Sequence, residues 1–255
     1  MLARLWHILW FLQAGLYLAL SLALFTRGAN RNFPVFAFYV SWMALEGVIL
    51  IPIYYAPFTT GDQYAIAFAT GIAGATVLRF AIIYEIFTRL LNPYPALRDA
   101  GVSVFRWATV ALLVIVIALA WFVPAAGASR VMSVFFLLQR TVDVLLCGLL
   151  LFLFAFSGYF HLSWRSYLVG ISLGLGVLAT VGLATASIRA QIEPLTRNQT
   201  ADIMELINQS AYTFSALIWI AYLFLPERPR GATPTRLPKH DLETWNQELQ
   251  RFLHQ

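Results

Sequence analysis

Long apolar stretches alternate with short polar interruptions along the chain, and this pattern predicts seven membrane-spanning helices. A helix needs roughly 20 apolar residues to cross the hydrocarbon core of a bilayer. Seven stretches meet that length, at about residues 5–26, 35–56, 63–90, 102–124, 131–157, 166–188 and 203–225. The segments between them carry proline, glycine and charged residues, which are typical of loops. We therefore expect an all-α, polytopic membrane protein whose residues 1–226 form a seven-helix bundle.

The composition agrees with a lipid environment. Of the 255 residues, 60% are hydrophobic and 11% are charged, whereas soluble domains carry roughly 25% charged residues. The first apolar run has one arginine before it and no small-residue cleavage site after it, so it is predicted to be the first span rather than a removed signal peptide. A single lysine against sixteen arginines indicates a GC-rich bacterial genome, and we expect the protein in a bacterial cytoplasmic (inner) membrane.

The distribution of basic residues predicts the orientation of the bundle, because cytoplasmic loops carry an excess of arginine and lysine. The loops after the first, third and fifth spans with the adjoining span ends, together with the linker at 227–239, carry ten: Arg27, Arg31, Arg89, Arg98, Arg106, Arg165, Arg228, Arg230, Arg236 and Lys239. The N-terminus and the other loops carry four: Arg4, Arg130, Arg189 and Arg197. We therefore expect the N-terminus outside and the C-terminus in the cytoplasm.

A short amphipathic helix is predicted at the C-terminus. Residues 227–239 form a basic, proline-rich linker, and residues 240–255 carry apolar side chains at helical spacing, namely Leu242, Trp245, Leu249 and Phe252. Acidic and basic residues nearly balance in this helix, whereas helices that lie on lipid are usually strongly basic. We expect it to dock on a protein surface, either this chain, a second copy or a cytoplasmic partner; the alternative is a helix free in solution.

Four charged residues lie deep inside the predicted spans: Glu46, Arg79, Arg140 and Asp143. An unpaired charge at the bilayer centre costs at least about 3 kcal/mol, so each needs a partner or water. With a rise of about 1.5 Å per residue, Glu46 and Arg140 lie at similar depth, and Arg79 and Asp143 both lie deeper. We predict a buried charge network of two neutral layers, in which Arg140→Leu would be destabilising. The network either fixes helix registry or forms a polar switch, proton site or ligand contact.

Two further sets of polar residues lie within the predicted spans. Gln139, Asn208, Gln209 and Tyr212 lie in the outer halves of the fifth and seventh spans, and they predict an outward-facing polar pocket. Hydrogen bonding between helices is the alternative for these side chains. Glu85 and Arg89 are four residues apart at the inner end of the third span, so an ion pair is expected. That pair is either a structural bridge or a coupling switch.

The sequence contains no motif that convincingly indicates catalysis or metal binding. The segment GISLG at residues 170–174 matches the pattern around a catalytic serine, but that motif needs a strand–turn–helix context and Ser172 lies in a predicted span. No CxxC, HExxH or phosphate-binding loop occurs. We therefore expect no catalytic or metal site and no enzymatic activity. The small residues Gly170, Gly174, Gly182 and Ala186 instead predict close helix packing.

Cofactors and nucleic acid are also argued against. Seven spans with an outside N-terminus resemble the microbial rhodopsins in outline, but retinal needs a lysine in the last helix and no predicted span contains one. Haem held between paired histidines is excluded because no span interior contains a histidine. The net charge of +5 comes from arginines in the predicted cytoplasmic loops, so it does not indicate nucleic-acid binding.

The first functional hypothesis is a receptor-like or sensory membrane module in which an outer polar pocket biases the helices and the tail helix signals to a partner. The alternatives are a small proton- or ion-coupled transporter or channel, and a non-catalytic subunit of a membrane complex. A cavity reaching only one side favours sensing, a polar path to both sides favours transport, and a bundle without a cavity favours assembly.

Overall fold

The structure is a computed structural model that describes residues 2–56, 61–91, 139–149, 166–192 and 197–225, together with residues 103, 106, 107, 110, 114 and 151. Of these residues 95% are helical and none forms a strand, which confirms the predicted all-α class. The linker at 227–239, the tail helix at 240–255 and nearly all of the fourth predicted span lie outside the described residues, as do the four docking residues Leu242, Trp245, Leu249 and Phe252.

Five long helices make up most of the described structure. They are α1 (Leu2–Thr26), α2 (Pro34–Tyr55), α3 (Gly61–Leu91), α4 (Tyr167–Ile192) and α5 (Arg197–Phe224). The first three correspond to the first three predicted spans, and α4 and α5 correspond to the sixth and seventh. Residues 139–149 are helical and form the middle of the fifth predicted span. We refer to them as the 139–149 segment.

Four helices within the described residues are long and apolar enough to cross a membrane, which suggests a membrane protein. The qualifying stretches are Leu5–Thr26, Pro34–Tyr55, Ile66–Leu90 and Tyr167–Ile188. Their outward faces carry exposed large apolar side chains, which is consistent with contact to lipid. Helix α5 is not in this set, because amide and hydroxyl side chains interrupt its apolar sequence. A total of seven spans, and the orientation, stay predictions.

The turn between α1 and α2 places these helices side by side in opposite directions. Gly28 adopts a left-handed conformation with a φ of 69°, which glycine reaches without a steric penalty. A single turn of 3-10 helix, Ala29–Arg31, follows it. Pro34 then opens α2 at a position where its missing N–H costs no helical hydrogen bond.

The helices form a ring in which each packs against its neighbours. Helix α1 packs between α2 and α5, α2 also packs on α3, and α5 also packs on α4. Helices α3 and α4 touch only weakly. The 139–149 segment lies between them, because Asp143 contacts α3, and the Cys147 thiol is 3.6 Å from the Thr180 hydroxyl of α4. The ring therefore surrounds a central space bounded by six helical elements.

The two ends of this ring differ in character. We call the end with the N-termini of α1, α3 and α5 the cavity end, and the opposite end the packed end. At the packed end, the Trp219 ring lies at the centre of an aromatic cluster, with ring centroids 6.1 Å from Tyr17, 5.1 Å from Phe36 and 6.1 Å from Tyr39. Buried leucine and isoleucine side chains from α1, α3, α4 and α5 fill the space around this cluster. Apolar side chains therefore close the packed end.

Polar contacts between helix ends also tie the packed end together. An Arg27 guanidinium N–H donates to the Leu223 carbonyl near the end of α5, at 3.0 Å, and the group lies 3.9 Å from the centroid of the Phe224 ring. A cation at a helix C-terminus satisfies unpaired carbonyls and interacts favourably with the helix dipole. This contact fixes the α1 end against the α5 end.

The predicted close packing of small residues is confirmed between α4 and α5. A Cβ atom at Gly170 would overlap the Tyr222 side chain, and one at Gly174 would overlap the Trp219 indole. The indole N–H of Trp219 donates to the Ile171 carbonyl at 3.3 Å, and the Ser215 hydroxyl donates to the Gly174 carbonyl at 2.9 Å. The glycines therefore let two aromatic residues of α5 lie directly on the α4 backbone.

Candidate functional site

A cavity of about 610 Å³ occupies the cavity end of the ring. Its walls come from residues 6–14 of α1, 43–50 of α2, 64–79 of α3, 178–186 of α4 and 205–212 of α5, with further residues from the 139–149 segment. Most residues of each range lie in the half of the helix nearest the cavity end. The volume falls in the range of small-molecule binding pockets. The cavity therefore lies above the apolar packed end, and its lining combines apolar, polar and charged side chains.

An ion pair between Arg79 and Asp143 forms the floor of the cavity. An Arg79 guanidinium nitrogen, Nη1, lies 3.2 Å from Asp143 Oδ1, and each residue is 3% exposed. Gly182 of α4 makes room for the carboxylate, because a Cβ atom there would lie 3.1 Å from Asp143 Oδ2. The structure thus brings together the two residues that were assigned to the deeper charged layer.

Arg79 also donates to two tyrosines on other helices. Its Nε–H donates to the Tyr39 hydroxyl of α2 at 3.4 Å, and Nη2 donates to the Tyr212 hydroxyl of α5. The guanidinium carries five N–H donors in a rigid plane, which suits it to several acceptors at once. One buried side chain of α3 therefore connects α2, α5 and the 139–149 segment at the boundary between the cavity and the packed end.

The other predicted layer, Glu46 with Arg140, does not form a direct ion pair. Within the described part of the chain neither residue has an oppositely charged atom within 4.0 Å, and Arg140 is exposed rather than buried. The physical reason is that α3 lies between the two elements that carry these residues, because it contacts both α2 and the 139–149 segment. Arg140 is also exposed, so it does not need a protein partner. Both residues nevertheless line the cavity.

Glu46 is held against α3 at a position where that helix has no side chain. A Cβ atom at Gly71 would overlap the Glu46 carboxylate. One turn away on α2, the indole N–H of Trp42 donates to the Gly71 carbonyl at 3.2 Å, and its ring lies over Gly74. The two glycines of α3 therefore set the close approach of α2 and the position of the Glu46 carboxylate on the cavity wall.

The four residues of the predicted outer pocket, Gln139, Asn208, Gln209 and Tyr212, all line this one cavity. The Thr185 hydroxyl of α4 lies 3.1 Å from Asn208 Oδ1 and donates to it. Gln209 is 8% exposed, and its Nε2 has no hydrogen-bond partner among the described residues. Helix-to-helix hydrogen bonding thus accounts for Asn208 and Tyr212, but it leaves the amide of Gln209 unsatisfied.

Glu85 and Arg89 lie at the packed end, away from the cavity. Their side chains are 3.6 Å apart, but the main contacts of the Glu85 carboxylate are with another helix. The backbone N–H of Phe36 donates to it at 3.1 Å and that of Val35 at 3.5 Å. The carboxylate therefore caps the N-terminus of α2, where unpaired N–H groups and the helix dipole favour a negative charge.

Several residues of the cavity were not identified from the sequence. Gln13 lines the wall, and its Oε1 is buried without a hydrogen-bond partner among the described residues. Trp6 and Trp10 of α1, with ring centroids 4.9 Å apart, and Tyr64 of α3 line the cavity near its end. A glutamine in the middle of an apolar span was a usable signal for Gln13, whereas the aromatic residues resembled an ordinary interfacial belt.

The GISLG segment is part of a regular helix. The Ser172 hydroxyl is buried and donates to the Leu168 carbonyl one turn earlier in α4, at 2.8 Å. This is the usual backbone contact of a serine in a membrane helix. Across the described ranges, no group of three histidine, cysteine or acidic side chains is arranged to hold a metal ion.

Comparison of the chain with protein-family models, with curated proteins and with solved structures gives no match. The functional argument therefore rests on the geometry of the cavity.

Proposed function

We propose that this protein is a receptor-like membrane module that binds a small polar molecule in the cavity. The observation that carries the proposal is the one-ended shape of the polar space. Polar and charged side chains line the cavity end, whereas the packed end is filled by the aromatic cluster around Trp219 and by buried aliphatic side chains. A transport path would need a continuous polar passage through both halves of the bundle. In the described packed half, the buried polar side chains Glu85, Ser172 and Ser215 are instead bonded to backbone groups.

The Arg79 contacts support a route by which binding could reach the packed end. Arg79 lies on the cavity floor and holds Tyr39, whose ring packs on Trp219 at a centroid distance of 6.1 Å. A ligand that attracts Tyr212 or Asp143 competes with these contacts, and so changes the position of α3 relative to α2 and α5. In the predicted orientation the cavity faces outward and the packed end faces the cytoplasm, where the tail helix would pass the change to a partner.

One observation favours the second candidate, a proton- or ion-coupled transporter. Glu46 presents a carboxylate to the cavity without a cationic partner within 4.0 Å among the described residues. A lone intramembrane acid is a common proton or cation site. In that case the described structure would be the state open to one side.

Labelling of single cysteines from the two sides of a membrane tests these candidates. Cys147 is the only cysteine in the chain, so Cys147→Ser gives a cysteine-free background. Asn208→Cys then places a thiol on the cavity wall, and Ser215→Cys places one about two turns deeper in α5, at a residue with 0% exposure. Ser215→Cys is the buried control for Asn208→Cys. It should preserve the packing at residue 215, because serine and cysteine are similar in size.

A membrane-impermeant thiol reagent should label Asn208→Cys only from the side of the N-terminus, and it should leave Ser215→Cys unlabelled from either side. Labelling of both positions, or of Asn208→Cys from both sides of the membrane, would contradict the receptor proposal and favour transport.

A further inference from the structure

We infer that the ligand of this cavity is a small zwitterion, a molecule that carries both an ammonium group and an anionic group. The inference rests on the proposed function and adds to it the chemical class of the ligand. It starts from two opposite charges that line the same cavity without forming an ion pair with each other, Glu46 and Arg140.

Among the described residues, five charged side chains line the cavity: Glu46, Arg79, Arg140, Asp143 and Glu205. Glu205 already interacts with other groups of the protein, which leaves Glu46 and Arg140 for a ligand once Arg79 and Asp143 have paired. Arg79 and Asp143 neutralise one another on the cavity floor. Glu46 on α2 and Arg140 on the 139–149 segment have no opposite charge within 4.0 Å among the described residues, and α3 lies between their elements. A ligand with a single charge would satisfy one of them and be repelled by the other. A neutral ligand would displace water from both without replacing its interactions, which is unfavourable for ionised groups.

Aromatic residues make the Glu46 side of the cavity suitable for an ammonium group. Trp6, Trp10 and Tyr64 line the same cavity as Glu46 and lie in one chain of ring contacts at the cavity end. An ammonium group gains from a carboxylate and from the faces of aromatic rings. We therefore assign the cationic group of the ligand to this side.

Two further residues that line the cavity, Arg140 and Gln209, are suitable for an anion. Arg140 offers a guanidinium, which binds carboxylates through paired hydrogen bonds. Gln209, which is more than nine-tenths buried, contributes an Nε2 donor that has no partner within the described residues. A buried donor without an acceptor is uncommon in native structures and needs an explanation, such as a bound group. A carboxylate or a similar anion of the ligand supplies the missing acceptor.

A series of ω-amino acids, from glycine to ε-aminocaproate, tests the inference on the purified full-length protein in detergent free of phospholipid. The chain length that binds best reports the separation of the two sites. Calorimetry should give one or more zwitterions that bind at least about tenfold more tightly than pentylamine and valerate, which carry only one of the two charges. A panel of common α-amino acids and glycine betaine extends the search.

Two conservative variants distinguish the roles of the charges. Glu46→Gln should weaken zwitterion binding at least about tenfold while leaving valerate binding equal or stronger. Arg140→Gln should also weaken zwitterion binding at least about tenfold, but it should leave pentylamine binding equal or stronger. Asp202→Asn and Arg31→Gln remove exposed charges that do not line the cavity, and they should leave binding unchanged. The thermal midpoint of each variant shows whether it is folded.

A zwitterionic phospholipid headgroup has the same chemistry, so the measurement is repeated in nanodiscs of phosphatidylethanolamine and of phosphatidylglycerol. Loss of ω-amino acid binding only in phosphatidylethanolamine identifies the headgroup as the occupant, whereas retained binding identifies a water-soluble zwitterion.

The inference is overturned if no zwitterion binds more tightly than the singly charged compounds, or if neither cavity variant changes zwitterion binding. Cysteine labelling confined to one side would in that case still support the receptor proposal, so the two failures can be told apart.

Discussion

Breaking the Arg79–Asp143 ion pair should strongly destabilise the protein, and Arg79→Leu is the variant that tests this. The substitution puts an apolar side chain in α3 and removes the only cation within 4.0 Å of Asp143 among the described residues. Asp143 is 3% exposed, so water cannot fully solvate the carboxylate that is left behind. Removal of one partner of a buried ion pair costs about 3–5 kcal/mol. The Tyr39 and Tyr212 hydroxyls also lose a donor, which adds about 1 kcal/mol.

The double variant separates the ion pair from the loss of packing. Arg79→Leu combined with Asp143→Leu leaves no stranded charge, and replacement of a whole buried pair by apolar residues is often neutral. We therefore expect the double variant to be more stable than either single variant, with a coupling energy of about 2–3 kcal/mol. The assay is equilibrium unfolding in mixed detergent micelles, followed by circular dichroism. Arg31→Leu, which removes an exposed arginine, is the matched control.

Two results would refute this reasoning. If Arg79→Leu unfolds within about 1 kcal/mol of the parent protein, the cavity hydrates Asp143 well enough that the pair is not needed. If the two single substitutions add in the double variant, the residues do not interact in the folded protein.

Three further predictions concern the same bundle and the same unfolding assay. Arg140→Leu should change stability by less than about 1 kcal/mol, because Arg140 is exposed and has no ion pair within the described residues. A loss as large as that of Arg79→Leu would support the prediction from the sequence that Arg140 belongs to a buried charged layer. Glu85→Ala should reduce the free energy of unfolding by about 1–3 kcal/mol, because the N-terminus of α2 loses its cap. Arg89→Leu should reduce it by less than about 1 kcal/mol. Equal losses would mean that the Glu85–Arg89 ion pair, rather than the cap, stabilises the protein. Gly174→Ala should destabilise the protein by about 1–3 kcal/mol, because the new methyl group overlaps the Trp219 indole ring. In Gly15→Ala the new methyl group meets no atom within 4 Å, so this control should be neutral or slightly stabilising. Similar unfolding curves for the two variants would argue against close packing of α4 on α5.

Helix positions and the candidate pocket residues could be predicted from the sequence because both depend on local patterns. An apolar run of about 20 residues is long enough to span a bilayer whatever surrounds it. Charged and amide residues within such runs are energetically unfavourable in lipid, which made Arg79, Asp143 and Gln209 recognisable without a structure. The side chains that hold them could not be recognised in this way, because the tyrosines and glycines around Arg79 and Glu46 are common in any membrane helix.

By itself, the sequence determined that the described chain is helical, that several helices are apolar enough for a membrane, and that polar groups occur inside them, because hydrophobicity and helical spacing are properties of consecutive residues. Only the tertiary structure decided which charges meet. Depth along a helix made Glu46–Arg140 and Arg79–Asp143 equally suitable pairs, whereas the ring order and the facing directions of the helices allow only the second. The structure also showed that Glu85 caps α2, since a contact between residues about 50 positions apart depends on how α3 packs against α2. Pairing of charges and closure of one end are set by the relative rotation of neighbouring helices, and no local pattern in the chain encodes that rotation.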